Sequence, residues 1–322
     1  KNLLSILFDY DIVLNTVGPF FKFGYQVLKT SLEANCHYMD ICDDWEPTEK
    51  MLELNDIAKE KNLLALLGLG ASPGITNLLG RIAIDHLDIA HTIYTGWNLE
   101  EAQPEPISSQ KETNAAMIHG IEQITGKVKV LKDGKFEMVN PLEEIKVSYP
   151  NIGTYSAFIF GHPEAITFPY HFKDLLNSIN LAHGNKSTIF VLKIMRKLIN
   201  LKIITKKTAA RFLEWLEKKE TSKKYTEATS LPEIYALAIG FKNGKEESVG
   251  VSLDGEPSRE LSMGEATGYP LSLGFKMFLN NEITERGVIA PESKCIDHKK
   301  LLMEIYKSFG MKDAKIIINK SW

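Results

Sequence analysis

Two side chains of this chain stand where a proton can be carried or held. His162, in "GHPEA", sits in a turn after the apolar run "FIF", and an imidazole that titrates near neutral pH can serve as general acid or base. A single histidine in a turn more often serves the fold than the chemistry. Asp40, in "YMDICDD", ends a short apolar run, where a carboxylate either faces a ligand or caps the following helix. Cys36, Cys42 and Cys295 have no C-x-x-C spacing, so they suggest neither a disulfide framework nor a structural zinc site. They read as reduced thiols of a cytoplasmic protein, and no metal site is expected.

Gly68, Gly70 and Gly74 in "GLGASPG" have the look of a dinucleotide-binding loop, but their spacing is G-x-G-x-x-x-G with Pro73 inside, not G-x-G-x-x-G. A true fingerprint also follows the first strand of its sheet, with an acidic residue about 20 positions later. This stretch comes after at least two βα units, so it is not the pyrophosphate loop. It nevertheless lies at the carboxyl end of a strand, outside which open parallel sheets bind ligands. The same logic selects Asn15, Thr16, Val17, Gly18 and Pro19 of "NTVGPF", and Asp40. Taken singly, Gly-Pro and Pro-Gly are ordinary turn punctuation. Together the three strand ends converge on one edge, and Asn15 to Pro19 with Gly70, Ala71, Pro73 and Gly74 are expected to line a cofactor there.

The elements that must position these residues are legible as a pattern. "DIVLNTV" and "HYMDIC" are short apolar runs read as strands, the first buried on both faces, and "FKFGYQVLKTSLEANC" between them has helical spacing. "EPTEKMLELNDIAKEKN" repeats the helix, "LLALLGL" the strand, and "ITNLLGRIAIDHL" a third helix after the Pro-Gly turn. Such alternation predicts a right-handed, doubly wound parallel sheet. From about residue 90, "AHTIYTGWNLE", "GKVKVLKDGKFEMV", "GTYSAFIFGHPEAITFP" and "IYALAIGFKNGKEESVGVSLDG" bring period-2 alternation, with Asp133-Gly134 and Asn243-Gly244 as hairpin turns. The lysine-rich stretch from roughly 172 to 222 reads as helices with a solvated face, Glu214, Glu217 and Glu220 interleaving its far end. The tail returns to helix, broken by Gly287 and Pro291. The fold class is therefore α/β: a partial Rossmann-like parallel sheet over 1–92 and 264–322, and an α+β domain of mainly antiparallel strands over 93–263.

With 322 residues, 44% hydrophobic and 25% charged, the chain has the composition of a globular protein of two domains. A net charge of −3 supplies no basic field for a phosphate backbone, so nucleic acid is not an expected partner. No apolar run approaches the ~18 residues a membrane helix needs. The opening "KNLLSILFDYDIVLNTVGPF" enters a strand almost at once and has no signal-peptide pattern. It reads as the interior of a domain.

The motifs "DIVLNTVGPF", "GYQVLKTSLEANCHYMDICDD", "LLGLGASPGITNLLG", "GHPEAITFP" and "TGYPLSLGFKMFLNNEITERGVIAPE", in this order from about residue 9 to 312, resemble the saccharopine dehydrogenase family, its lysine 6-dehydrogenase-like members in particular. The resemblance implies an oxidoreductase that uses NAD or NADP at the CH–NH or CH–NH2 group of an amino acid, and a homodimer. It also implies a glycine-rich phosphate loop and further βα units before the "NTVGP" strand, so the family's first half of the sheet is expected upstream of Lys1. On this resemblance Asp40, which matches a Tyr-x-Asp of the family, holds the substrate amine or a ribose hydroxyl, and His162 carries the proton. Among the five arginines, Arg81 and Arg286 lie nearest the inferred cleft and can fork a substrate carboxylate. Glu265 and Thr267 of "GEATGYP" open a helix whose N-terminus can face the ligands. Two rival readings are a non-catalytic nucleotide-binding or scaffold relative and, more weakly, an acyl-chain reductase on the same fold.

Overall fold

Short apolar runs bounded by Gly-Pro and Asp turns become parallel strands when helices cover both of their faces. In the computed structural model, which describes residues 2–100, 120–220, 231–255, 261–311 and 313–322 (the side chains of 214–220 excepted), four strands do so. They are β1 (Ile12–Asn15), β2 (His37–Asp40), β3 (Leu64–Leu66) and β12 (Gly287–Ile289), in the order β1-β2-β3-β12 with every neighbouring pair parallel. Residues alternate between faces along each strand. Tyr38, Ala65 and Val288 face a core formed with α2 (Phe20–Glu33), α3 (Trp45–Leu52) and α4 (Asn55–Glu60). Met39, Leu64, Leu66 and Ile289 face the opposite core, with α5 (Ile75–Ile84), α9 (Met263–Leu279) and α10 (His298–Ser308).

The remaining strands form a nine-stranded sheet. It contains β4 (Ile89–Asn98), β5 (Val128–Lys132), β6 (Lys135–Val139), β7 (Glu144–Tyr149), β8 (Gly153–Ile159), β9 (Asn177–His183), β10 (Ile234–Lys242), β11 (Lys245–Asp254) and β13 (Lys315–Lys320). Every pairing is antiparallel except that of β4 with β9. The two predicted hairpin turns close β5–β6 and β10–β11. Asp133 and Gly134 (φ 48° and 75°) and Asn243 and Gly244 (φ 51° and 75°) take the left-handed backbone such two-residue turns require. Around this sheet lie α6 (Glu164–His171), α7 (Lys186–Asn200) and α8 (Lys206–Glu220). Glu214, Glu217 and Glu220 fall in α8, where their side chains lie outside the described residues.

Several local expectations change. The first residues form α1 (Leu3–Leu7), capped by the Asn2 side chain, before β1 begins. β1 is not buried on both faces: it pairs with β2 alone among the described residues, and Leu14 and Val17 are exposed. The helix read across "EPTEKMLELNDIAKEKN" is two, α3 and α4, parted at Glu53 and Leu54. "GTYSAFIFGHPEAITFP" is a strand only to Ile159, because Pro163 and the carboxylate of Glu164 are placed to start a helix there. The stretch from roughly 172 to 222 is not helical throughout: Asn177–His183 is strand β9, and its helices begin only at Lys186. The tail is shared between the sheets, β12 joining the parallel one and β13 pairing with β11.

The two sheets meet across α5. Every residue of this helix except Arg81 is buried, and its Gly80 lets the ring of Phe168 on α6 come so close that a Cβ there would lie 2.4 Å from the ring. The first turn of α5 and the first turn of α6 thereby reach the same place.

Candidate active site

Because the four strands of the first sheet are parallel, Asn15, Asp40 and the segment after Leu66 end on one edge, with Asn15 and Asp40 in direct register. A hydrogen-bond chain ties them. Asn15 Nδ2 donates to Tyr38 Oη at 2.9 Å, and Tyr38 Oη donates to Asp40 Oδ2 at 2.9 Å. The other oxygen of Asp40 accepts the backbone amides of Cys42 at 3.1 Å and Gly68 at 2.6 Å. Asp40 is wholly buried, and burial raises its carboxyl to about 6 against the opposing pull of those three donors. Its place in the structure is that of a clamp which fixes the start of the glycine-rich turn. The Thr16–Gly18 turn beyond Asn15 is exposed, and an added Cβ on Gly18 would meet nothing within 4 Å.

The turn itself explains why it cannot cradle a phosphate. Gly74 has φ 125°, and a Cβ there would lie 1.9 Å from the Gly70 carbonyl oxygen, so only glycine fits. The amides that open α5 are spent inside the turn. Gly74 N–H donates to Asn77 Oδ1 at 2.8 Å, Ile75 N–H to Gly70 O at 3.0 Å and Thr76 N–H to Ala71 O at 3.2 Å. A helix N-terminus binds anions through free amides, and these are not free.

What the turn does present is Ser72. Its hydroxyl donates to Glu164 Oε1 at 2.7 Å and lies 3.1 Å from His162 Nδ1. The same carboxylate oxygen accepts from Thr76 Oγ1 at 2.7 Å and from Asn180 Nδ2 at 3.0 Å. Asn180 on β9 is in register with Thr95 on β4 and bonds its hydroxyl at 2.9 Å. Trp97, two residues further along the same face of β4, stacks on the His162 ring at 5.6 Å and 13°. With three donors on Oε1, Glu164 keeps Oε2 without a hydrogen bond, 3.9 Å from His162 Nδ1, in a side chain only 1% exposed. A buried carboxylate oxygen without a donor carries a desolvation cost that an incoming cation or N–H group would relieve.

His162 therefore sits in a polar cluster. The sequence reading passed over its other members, Ser72, Thr76, Glu164, Asn180, Thr95 and Trp97. One signal was present: Glu164 stands two residues after His162 inside an apolar stretch, where a carboxylate needs partners. Asn180 and Trp97 gave none: Asn180 lies in a stretch read as helix that is strand β9, and Trp97 only completes a strand. Among the other expected residues, Thr267 packs its methyl against Gly70, 3.0 Å from where a Cβ would stand. Glu265 forms a reciprocal capping box with Ser262 at the start of α9. Arg81 pairs with Asp85 at 2.7 Å and donates to the Glu292 carbonyl oxygen at 3.1 Å. Arg286 precedes β12, at the amino edge of the parallel sheet, away from the turn, and donates to the carbonyls of Thr284 and Glu285. The described residues contain no group of three metal-ligating side chains. None of their helices is long and apolar enough to cross a membrane.

No protein-family model matches the chain. A carboxyaminopropylagmatine dehydrogenase of a Synechocystis species is 26% identical over 165 residues, 49% of this chain and 40% of that protein, so the match spans well under half of the relative. The apo saccharopine dehydrogenase (L-Glu forming) of Saccharomyces cerevisiae superposes with a TM-score of 0.58 at 14% identity, covering 98% of this chain and 86% of that one. A homospermidine synthase of Legionella pneumophila, in complex with NAD, superposes with a TM-score of 0.55 at 13% identity, over 100% and 79% of the two chains. The parallel sheet joined to a mainly antiparallel one is thus the fold of the saccharopine dehydrogenase-like proteins, as the order of the sequence motifs anticipates.

Proposed function

We propose that the protein is a nicotinamide-dependent oxidoreductase acting at the CH–NH or CH–NH2 carbon of an amino acid. The observation that carries this reading is the Glu164 carboxylate, buried, bonded through one oxygen to Ser72, Thr76 and Asn180, and open at the other beside His162. A substrate ammonium would bring that oxygen the donor it lacks, while three fixed donors keep the carboxylate from rotating to meet it. His162, held by Ser72 and stacked on Trp97, is the group placed to take the proton that leaves nitrogen as the carbon is oxidised.

A bound nicotinamide would accept the hydride from that carbon. The exposed turn Thr16–Gly18 and Ala71, both at the carboxyl edge of the parallel sheet, are the residues that would hold its end of the cofactor; the open space over Gly18 fits a backbone approach. The cofactor is NAD or NADP, and the presence of NAD in a neighbour of the same fold supports the class. A homodimer is proposed on the family resemblance.

The test is NAD(P)H absorbance with lysine and saccharopine as substrates, on the wild type and on Glu164→Gln and His162→Ala. Each variant is expected to lower kcat/KM by about 100-fold or more. Turnover untouched by both changes would remove this site, and binding of cofactor without any turnover would favour the non-catalytic reading.

A further inference from the structure

Ser72 and Glu164 stand at the starts of two different helices, α5 and α6, and one buried side chain touches both helices. Glu292, two residues after the carboxyl end of β12's extension at Ala290, is wholly buried. Its Oε2 accepts from Asn77 Nδ2 at 2.8 Å. Asn77 in turn accepts the Gly74 amide through Oδ1, and its Nδ2 lies 3.4 Å from Thr167 Oγ1 on α6. The backbone of the same segment makes two more ties: Arg81 Nη1 donates to Glu292 O at 3.1 Å, and Ala290 N–H donates to His171 Nε2 at 3.3 Å. Asn77 and Arg81 are four residues apart on α5, and Thr167 and His171 are four apart on α6, so the tail lies along one face of each helix. Those helices begin with the Ser72–Gly74 turn and with Glu164.

We propose that Glu292 is a positioning residue which, through Asn77 and Thr167, holds the Ser72–Gly74 turn against the start of α6 and so sets the distance between Ser72 and Glu164. It touches neither substrate nor cofactor, and the proposal rests on the site described above. A carboxyl suits this place because burial favours its uncharged form. Burial raises it to about 7, with Thr167, Asn77 and Arg81 opposing, and its second oxygen has no hydrogen-bond partner. Burial likewise lowers His171 to about 4, which keeps its ring neutral and Nε2 an acceptor for Ala290 N–H.

Glu292→Met keeps the volume and removes the acceptor, while Glu292→Gln keeps an acceptor oxygen. Hydrogen exchange of the peptide covering 68–80 is expected to quicken about ten-fold in Glu292→Met, with the α2 peptide unchanged, and to return close to wild type in Glu292→Gln. With an amino-acid substrate, kcat is expected to fall about ten-fold in Glu292→Met with KM within about two-fold, again restored by Gln. Should Glu292→Met fail to fold, Thr167→Val reads the same link by removing one hydroxyl. Unchanged exchange at 68–80, an equal rise throughout the chain, or a Gln variant as impaired as Met would overturn the proposal. If the wild type turns over no amino acid, the functional reading fails and the exchange measurement still decides this one.

Discussion

At the scale of single residues, Asp40 and Glu164 are two buried carboxylates with opposite allotments of donors. Asp40 has both oxygens occupied, by a tyrosine hydroxyl and two backbone amides. Glu164 has three donors on one oxygen and none on the other. The first arrangement builds structure and the second leaves a valence for a ligand. Replacing Asp40 by Ala would strand the Gly68 and Cys42 amides and the Tyr38 hydroxyl, and removal of a buried acceptor costs about 1–3 kcal/mol per abandoned donor. Relief from burying the carboxylate offsets part of this. Asp40→Ala is expected to lose about 3 kcal/mol of stability in urea unfolding; a loss under about 1 kcal/mol would mean that the clamp is not what holds the strand ends together.

At the scale of elements, the turn between β3 and α5 is the piece on which the site depends. Gly74 is confined by a positive φ and by a carbonyl oxygen 1.9 Å from its hypothetical Cβ, whereas Gly18 in the β1–α2 turn has open space in that direction. Gly74→Ala is expected to cost more than about 3 kcal/mol, or to abolish folding, and to release Ser72 from Glu164. Gly18→Ala is expected to change stability by less than about 0.5 kcal/mol. Thermal melts of the two variants side by side check this, and equal effects would contradict it. The turn's glycines were legible from their order in the chain, and so was their failure to match a phosphate loop. Their actual work was not, because the contact of Gly70 with Gly74 and the capping by Asn77 depend on how the loop closes.

For the whole molecule, buried groups with displaced pKa values shape how stability responds to pH, and four of them are shifted furthest in the acid-to-neutral range. Asp40 and Glu292 are raised to about 6 and about 7, so between their ordinary values near 4 and those values the folded state binds more protons than the unfolded one. Their contribution falls as pH rises through that window. His171 and His298 are lowered to about 4 by burial, so between pH 4 and 6.5 the unfolded state binds more protons and their contribution rises with pH. The two pairs oppose each other below pH 6.5, and of these four only Glu292 still titrates just above it. Glu292→Gln cannot ionise, so its melting temperature relative to wild type is expected to climb by a few degrees between pH 5 and pH 8. A difference that does not change with pH would place the Glu292 carboxyl near its ordinary value.

The sequence by itself determined the class of fold, the hairpin turns and the convergence of strand ends on one edge. These follow from local rules: β-branched runs, helical spacing, Asp-Gly and Asn-Gly turns, and the parallel pairing that puts Asn15 and Asp40 side by side. It also singled out His162. Only the tertiary structure decided what surrounds that histidine. Ser72, Glu164, Asn180 and Trp97 lie on a turn, a helix and two strands far apart in the chain, and Glu292 of the tail bonds Asn77 on the helix that follows the turn. No local pattern encodes such a meeting. It exists because α5 and α6 pack closely at Gly80 and Phe168 between two sheets, and burial there leaves each polar side chain to find its partner across the interface.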